Sequence, residues 1–232
     1  MSSESKPFLD WLARWEESLP DASLSKVVPD PARVALVSED MVKGFCNQGA
    51  LASSRARGIV PAVERLFQRA HDLGVRHFLL FQDTHDPDAI EFSAYPPHCV
   101  ASTAESETID ALTALPFSDI FITMPKNSIS SSIGTGLDAW LKAHPQVIHF
   151  IVVGVCTDIC VYLAALYLRT RANILGQRAA RIVVPADCVQ TYHLPVETAA
   201  ELGALPHDGD LLHRIFLYHM ALNGIEVVAH LA

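Results

Sequence analysis

The sequence is short of basic residues and contains no run of them. Its 232 residues include 17 Lys and Arg against 26 Asp and Glu, which gives a formal net charge of −9 at pH 7. Nucleic acids and anionic membranes bind proteins through basic surfaces. The charge balance therefore argues against nucleic acid and against a membrane surface as partners.

Long hydrophobic runs are also missing. The longest, near residues 147–156, is interrupted by His149 and is too short to span a bilayer. The sequence opens with apolar residues at helical spacing rather than with the basic-then-apolar pattern of a secretory signal. These apolar residues are Phe8, Leu9, Trp11, Leu12 and Trp15. We therefore expect a cytoplasmic protein.

The cysteines show neither a zinc-site spacing nor a redox spacing. The five cysteines are odd in number and scattered, at Cys46, Cys99, Cys156, Cys160 and Cys188. The two in GVCTDICV are one residue further apart than in the C-x-x-C redox motif, and no second pair lies nearby to complete a zinc site. Reduced thiols, as in cytosolic proteins, are therefore expected.

Apolar residues are plentiful, since 50% of the residues are hydrophobic and 19% are charged. Apolar segments predict six strands, at residues 33–38, 76–83, 119–125, 146–154, 181–187 and 225–231. Their Val, Ile and Phe content without strict alternation is typical of strands buried on both faces. Helical patterns fall between them, at residues 55–73, 105–114, 135–143, 158–172 and 208–222, with a short helix or loop at 195–206.

This alternation of strands and helices predicts an α/β fold. We expect a single-domain, three-layer α/β/α arrangement around a six-stranded, mostly parallel sheet. No internal repeat or obvious linker divides the chain. Residues 1–30 are assigned to an N-terminal helical extension and residues 31–232 to the domain. The amphipathic helix of the extension is expected to cover the sheet or to form a contact in a homo-oligomer.

Reactive side chains stand where successive strands end. Four of these strand ends carry Asp40, Asp83, Lys126 and Cys160. Because the carboxyl ends of parallel strands meet at one edge of the sheet, where ligands bind, these side chains are expected to converge. Glu39 and Asp187 also stand at strand ends, but a structural role is favoured for them.

Cys160 is the candidate nucleophile of this set. If Thr157 and Asp158 begin the helix after the fourth strand, Cys160 lies in its first turn, where exposed N–H groups and the helix dipole favour a thiolate. A nearby ammonium such as that of Lys126 lowers a thiol pKa, and the carboxylate of Asp40 can take the proton and deliver it to a leaving group. A role as a buried apolar residue stays open for a cysteine in such surroundings.

The loop DTHDPDAIEFSAYPPHC, residues 83–99, carries candidate metal ligands. Asp83, His85 and His98 form a set of two histidines and one carboxylate, and Glu91 is a further candidate. Such mixed nitrogen and oxygen ligation suits Zn, Fe or Mn rather than Ca or Mg. An acidic surface loop without a metal is the open alternative.

Six segments between about Arg33 and Val189 resemble the cysteine hydrolases of the isochorismatase-like fold and, within that family, the nicotinamidases. These segments are ALVSEDMVKGFCNQGAL, DTHDP, YPPHCVASTAESE, KNSISSSIGTGLDAWL, GVCTDICV and VVPADCV. YPPHC, VGVCTDICV and LPHDGDLLHRIFLYHM are similar to the plant-type members in particular. The resemblance implies an amidohydrolase that converts nicotinamide to nicotinate and ammonia, in pyridine nucleotide salvage for NAD biosynthesis.

The resemblance also implies roles for residues of the catalytic centre. Cys160 would be the nucleophile that forms a thioester, with Asp40 as its base and Lys126 as the third member. The backbone N–H groups of Cys156 and Cys160 would form the oxyanion hole, next to a cis peptide bond between Val155 and Cys156.

The resemblance further implies a cofactor and a small-molecule amide substrate. The cofactor would be one divalent metal ion, with zinc in first place and iron or manganese as alternatives. Its ligands would be Asp83, His85 and His98, with Glu91 as an optional fourth. Phe45 and Tyr95 match positions that wall the substrate ring. Another small amide, such as a carbamoyl or ureido compound, stays open as the substrate, and so does a non-catalytic member of the fold.

Overall fold

Seven strands form one sheet in a computed structural model of the chain, which describes residues 5–232. The strands are β1 Val34–Glu39, β2 His77–Asp83, β3 Phe121–Lys126, β4 His149–Val155, β5 Arg181–Pro185, β6 Val189–Gln190 and β7 Glu226–Val228. They lie in the order β3-β2-β1-β4-β5-β7, with β6 beside β4, and every pairing is parallel. The six predicted strands are confirmed, and the two-residue strand β6 is an addition.

Strand β1 is the switch point of the sheet. It pairs with β2 on one side and with β4 on the other. The chain runs outward from β1 to β3, crosses back to the opposite side of β1, and runs outward again toward β7. In an open parallel sheet, such a reversal opens a crevice at the carboxyl ends of the strands beside it. The ends of β1 and β4 therefore mark the expected ligand site.

Nine α-helices precede or connect the strands within the described residues. They are α1 Ser5–Glu17, α2 Leu24–Val27, α3 Lys43–Cys46, α4 Ser54–Asp72, α5 Asp110–Thr113, α6 Leu137–Ala143, α7 Cys160–Ile174, α8 Val196–Leu202 and α9 Gly209–Leu222. Helices α4, α6, α7, α8 and α9 confirm five of the predicted helical stretches. None of the described helices combines the length and the apolar character required to cross a membrane.

The helix predicted at residues 105–114 is wrong over most of its length. Only Asp110–Thr113 is α-helical there. Just before it, the N–H of Ile109 donates to the carbonyl of Met41 at 3.1 Å. Backbone groups of Glu107 and Ile109 thus pair with the chain that follows β1, which separates a 3-10 turn at Ala104–Ser106 from the short α-helix.

Helices cover both faces of the sheet and enclose two apolar cores. In β1, Val34 and Leu36 belong to the core under α4, whereas Ala35 and Val37 belong to the core under α6, α7 and α9. A strand buried on both faces needs apolar residues at successive positions, which is why β1 shows no alternation. The predicted three-layer α/β/α arrangement is confirmed.

The N-terminal segment contributes to both cores. Trp15 of α1 packs against the core under α6, α7 and α9, next to an ion pair between Glu16 and Arg214 of α9 at 2.6 Å. Helix α2 buries its leucine and valine in the core under α4. Between the two helices, the N–H of Ala22 donates to the carbonyl of His230 at 2.9 Å. The boundary at residue 30 stays a prediction, and residues 1–4 of the predicted extension lie outside the described part of the chain.

Candidate active site

Asp40 lies at the switch point, immediately after β1. Its φ of +53° is in the left-handed region, which a residue other than glycine adopts only where its surroundings hold it. Its N–H donates to the carbonyl of Phe81 at 2.9 Å, and its Oδ1 accepts a hydrogen bond from the N–H of Asp83 at 2.8 Å. These two contacts with β2 fix the buried carboxylate over the carboxyl edge of the sheet.

Lys126 brings the ends of three strands together. Its ammonium forms an ion pair with Asp40 Oδ2 at 2.8 Å, donates a hydrogen bond to Asp83 Oδ1, and lies 3.7 Å from Cys160 Sγ. All four side chains are buried. The predicted convergence of these strand-end residues is therefore present, and we call Asp40, Lys126 and Cys160 the cysteine set.

The protonation of the cysteine set follows from its burial. Burial, together with the charge of Asp83, raises the pKa of Asp40 to about 6, so Asp40 is a carboxylate at neutral pH. Burial also raises the pKa of the Cys160 thiol well above its usual value, although Lys126 opposes the shift. Cys160 is therefore a neutral thiol beside an ionised base, and the helix start does not by itself make it the thiolate expected from the sequence.

The turn between β4 and α7 carries both cysteines of GVCTDICV. The peptide bond between Val155 and Cys156 is cis, as expected, and α7 begins at Cys160, so this thiol lies in the first helical turn. Gly154 has a φ of +112°, and a Cβ there would clash with the carbonyl oxygen of Glu39. A glycine is thus required where β4 approaches β1 before the turn.

A second cluster lies beside the cysteine set at the end of β2. The side chains of Asp83, His85 and His98 are buried, and their ligand atoms all lie within 4.8 Å of one another. Nε2 of each histidine lies 3.5 Å from Asp83 Oδ2. We call these three residues the metal cluster.

The hydrogen bonds around this cluster fit a bound cation. His85 Nδ1 lies 3.2 Å from Oδ1 of Asn127, an oxygen that also accepts the N–H of Asp86, and His98 Nδ1 lies 2.8 Å from the carbonyl oxygen of Pro96. Each Nδ1 faces an acceptor and carries the proton in a neutral ring, which leaves the Nε2 lone pairs directed at a carboxylate. His85 Nε2 is buried without a hydrogen-bond partner among the described residues. Three electron-pair donors that face one another are the chemistry of a divalent metal site.

Glu91 lies at the margin of the metal cluster. Its Oε1 is 3.9 Å from His85 Nε2, and its Oε2 accepts a hydrogen bond from the N–H of Ile129 at 3.1 Å. One carboxylate oxygen of Glu91 thus binds the loop after β3. That Glu91 is a fourth metal ligand stays a prediction.

One cavity of about 680 Å³ opens onto the cysteine set and the metal cluster. Its lining includes Asp40 and Cys160, Asp83 and His98, and the predicted wall residues Phe45 and Tyr95. Such a volume lies within the range of small-molecule sites. Tyr192 and Leu194 also line the cavity, although neither was among the residues predicted from the sequence. The aromatic and apolar residues directly after the VVPADCV segment were the only available signal.

The two remaining strand-end acids occupy different positions. Glu39 is fully buried beside Asp40, and burial raises its pKa well above the usual value, so the carboxyl group is neutral. Asp187 lies on a 3-10 turn that does not contribute to the described cavity lining. No catalytic role is therefore assigned to either residue.

The chain is similar to known proteins over most of its length. The family described as "Isochorismatase domain" matches residues 34–206. Nicotinamidase 1 of Arabidopsis thaliana is 32% identical over 213 residues, which cover 86% of each chain. The crystal structure of a nicotinamidase from Bacillus subtilis is 25% identical, with a TM-score of 0.64, over 84% of this chain and 99% of that one. The N-carbamoylsarcosine amidase of Thermoplasma acidophilum is also 25% identical, with a TM-score of 0.62, over 84% of this chain and 95% of that one.

Proposed function

The chain belongs to the isochorismatase family, and from this premise we propose that it is a cysteine amidohydrolase that converts nicotinamide to nicotinate and ammonia. The observation that carries the proposal is the shared cavity. It joins a buried thiol with an adjacent base to a cluster suited to a divalent metal, and aromatic residues line it. A carboxamide attached to a nitrogen-containing aromatic ring matches such a site. Its amide carbon suits the thiol, and its ring nitrogen suits the metal cluster.

In the first step, the sulfur of Cys160 bonds to the carboxamide carbon while its proton moves to Asp40. The Lys126 ammonium is close to Asp40 and to Cys160. It stabilises the negative charge while this charge moves from the carboxylate to the sulfur and then to the carbonyl oxygen of the substrate. The raised pKa of Asp40, about 6, suits a group that must accept a proton and release it near neutral pH.

The second step releases ammonia. Asp40 gives its proton to the amide nitrogen, the carbon–nitrogen bond breaks, and a thioester remains on Cys160. Asp40 then takes a proton from water, the resulting hydroxide attacks the thioester, and the proton returns to the departing sulfur. One base thus serves both halves of the reaction, and no proton is gained or lost by the protein.

We assign stabilisation of the oxyanion to the turn before α7. The backbone N–H groups of Cys156 and Cys160 are the proposed donors, and in comparable sites one such donor lowers the barrier by roughly 3–4 kcal/mol. Burial raises the pKa of both the Cys156 and the Cys160 thiols. Cys160 is the proposed nucleophile because its sulfur lies 3.7 Å from the Lys126 ammonium, which also pairs with the proposed base Asp40.

The metal cluster is proposed to hold the substrate ring. Asp83, His85 and His98 would bind the ion, for which the ligand set favours zinc, with iron and manganese as alternatives. When bound, the ion would supply an electron-pair acceptor for the ring nitrogen, which orients the amide without activating water. Phe45 and Tyr95 are the proposed walls of the ring site.

Ammonia release from nicotinamide, compared with a panel of small amides, tests the proposed function. We expect the highest kcat/KM for nicotinamide and a loss of turnover after the metal is removed by a chelator. The panel includes carbamoyl and ureido compounds, because the similarity to N-carbamoylsarcosine amidase supports an amide of that class as the alternative substrate. A metal-free protein that is inactive on nicotinamide but active on a ureido compound would reverse the assignment.

A further inference from the structure

Residues 191–208, which we call the cap segment, wall one side of the cavity between β6 and α9. Leu194 and His207 join the two ends of the segment, because the backbone N–H of each donates to the carbonyl of the other at 2.8 Å. Tyr192, Leu194 and Leu202 of this segment line the cavity. The cap segment is thus a closed loop that contributes to the site, and the proposed reaction gives it no task.

His207 connects the cap segment to the turn that carries the nucleophile. Its Nε2 lies 2.8 Å from Asp158 Oδ2, and its Nδ1 lies 2.9 Å from the carbonyl oxygen of Tyr192. Its ring stacks on the Tyr192 ring, with 3.8 Å between the centroids and 20° between the planes. Only 8% of His207 is exposed. One buried side chain therefore links a wall of the cavity to a residue two positions before Cys160.

The two ring nitrogens of His207 both face acceptor oxygens. A carboxylate oxygen only accepts, so Nε2 is the donor in the contact with Asp158. Burial alone would raise the pKa of Asp158, but the hydrogen bond from His207 lowers it, so the partner is a carboxylate. The link is a buried, charge-assisted hydrogen bond, which is stronger than a neutral one.

The turn to which the cap segment is tied has a second anchor. Thr157 Oγ1 lies 2.8 Å from His213 Nδ1, so the residue next to Asp158 is held by α9. Cys160 begins α7, which packs against β4. The turn is therefore fixed on the sheet side and on the α9 side, and Asp158 gives the cap segment a firm point of attachment.

We propose that His207 is a positioning residue for substrate binding, which holds the Tyr192 ring in place as a wall of the cavity by tying the cap segment to Asp158. The proposal rests on the function proposed above and adds a determinant of ring binding to it. His207 is not part of the described cavity lining, so it acts through Tyr192. Its loss weakens binding of the ring and leaves the chemistry of Cys160 in place.

Steady-state kinetics of ammonia release from nicotinamide by the whole, metal-loaded protein tests the proposal. For His207→Ala we expect KM to rise roughly tenfold, the scale of a lost hydrogen bond to a charged group, and kcat to change less than about twofold. Tyr192→Ala is expected to raise KM by a similar factor. The KM of the double variant should be no higher than that of Tyr192→Ala alone, because His207 acts through Tyr192. An unchanged KM in His207→Ala, or additive effects in the double variant, would overturn the proposal.

Two further variants guard against a general loss of structure. His207→Phe keeps a ring against Tyr192 and removes both hydrogen bonds, so it is expected to fold and still to raise KM; a wild-type KM would count against the link to Asp158. His230→Ala is the matched control, since His230 Nδ1 also lies 2.8 Å from a carboxylate, that of Asp21, and contributes nothing to the described cavity lining. The same rise of KM in His230→Ala would make the effect unspecific and defeat the proposal.

Amide hydrogen exchange separates this proposal from the proposed function. In His207→Ala, amides of the cap segment are expected to exchange roughly tenfold faster, whereas β1 and β4 exchange as in the wild type. If the wild type hydrolyses no amide but the cap segment loosens, the positioning contact stands and the proposed function fails. If the wild type hydrolyses nicotinamide but exchange in the cap segment is unchanged, the positioning proposal alone fails.

Discussion

Lys126 and Asp83 form a hydrogen-bonded ion pair at the border between the cysteine set and the metal cluster. Asp83 uses Oδ1 for this contact and turns Oδ2 toward the two histidine rings. One carboxylate thus belongs to both groups, and buried surroundings screen its charge only weakly. We therefore expect a substitution in the cysteine set to affect the metal cluster as well, and the reverse.

Replacement of Lys126 by Met is expected to destabilise the protein and abolish its activity. Asp40 and Asp83 would lose their shared cation, and removal of one partner from a buried ion pair typically costs about 3–5 kcal/mol in the free energy of unfolding. Urea denaturation measures the change. Lys6→Met, which removes an exposed ion pair with Asp10, is the control and should leave the free energy of unfolding unchanged. Equal urea midpoints for Lys126→Met and wild type would contradict the prediction.

Replacement of Cys160 by Ala is expected to lower kcat for ammonia release by roughly a thousandfold or more, as removal of a nucleophile does elsewhere. Mass spectrometry of acid-quenched wild-type protein should detect the thioester on the peptide with Cys160, and the variant should lack it. Cys188→Ala is the matched control, because Cys188 is also buried but is absent from the described cavity lining. Turnover of Cys160→Ala at the wild-type rate would remove this residue from the mechanism.

The activity is expected to fall in mild acid. Burial and the charge of Asp83 raise the pKa of Asp40 to about 6, so below that pH the carboxyl group is protonated and cannot accept the thiol proton. The kcat/KM should therefore rise with pH through a midpoint near 6 and level off above it. A pH profile of initial rates measures this limb, and a flat profile between about pH 5 and pH 7 would be incompatible with Asp40 as the base.

Metal binding is expected to depend on the histidines and on their supporting amide. His98→Ala removes a ligand and should lower the metal content of purified protein to near zero. Asn127→Ala removes the acceptor for His85 Nδ1, and loss of such supporting contacts typically weakens metal binding about 10- to 100-fold. Elemental analysis and chelator competition measure both effects. His144→Ala, whose Nδ1 contacts the Trp140 carbonyl on α6, is the control; full metal content in His98→Ala would reject that ligand.

Replacement of Gly154 by Ala is expected to destabilise the fold next to the nucleophile turn. The residue has a φ of +112°, and a Cβ would clash with the Glu39 carbonyl oxygen, so β4 would have to move away from β1. Gly58→Ala is the matched change, because Gly58 lies in α4 with no atom within 4 Å of a new Cβ. It should stabilise the protein by about 0.5–1 kcal/mol. Thermal unfolding compares the two, and equal melting temperatures for both variants would contradict the prediction.

The central strands of this protein were predictable because both of their faces are buried. Continuous apolar runs therefore mark β1, β2 and β4, and the acids that follow or end the first two, Asp40 and Asp83, mark the edge that Lys126 of β3 also reaches. Strand β6 was missed because two residues carry no pattern, and the helix at 105–114 was wrong because its backbone bonds to a distant segment.

The contacts that support the site could not be predicted from the sequence. His207 lies 49 positions from Asp158, and Asn127 lies 42 positions from His85, so neither pairing leaves a local spacing to detect. The neutral state of Cys160 also depends on burial, which no motif states. The approach of these strand-end side chains to one edge of the sheet was thus predictable from the sequence, whereas their protonation and their supporting contacts required the fold.

The pairing between Ala22 and the last residues of the chain has a consequence for aggregation. Strand β7 lies at one edge of the sheet, and an edge with unpaired backbone groups is a template for strands of other molecules. Just beyond β7, the chain exchanges hydrogen bonds with residues 20–24, including Ala232 N–H to the Ala22 carbonyl at 2.8 Å. Backbone of the same chain thus covers part of this edge, and we expect resistance to edge-to-edge association to depend on a segment that does not line the described cavity.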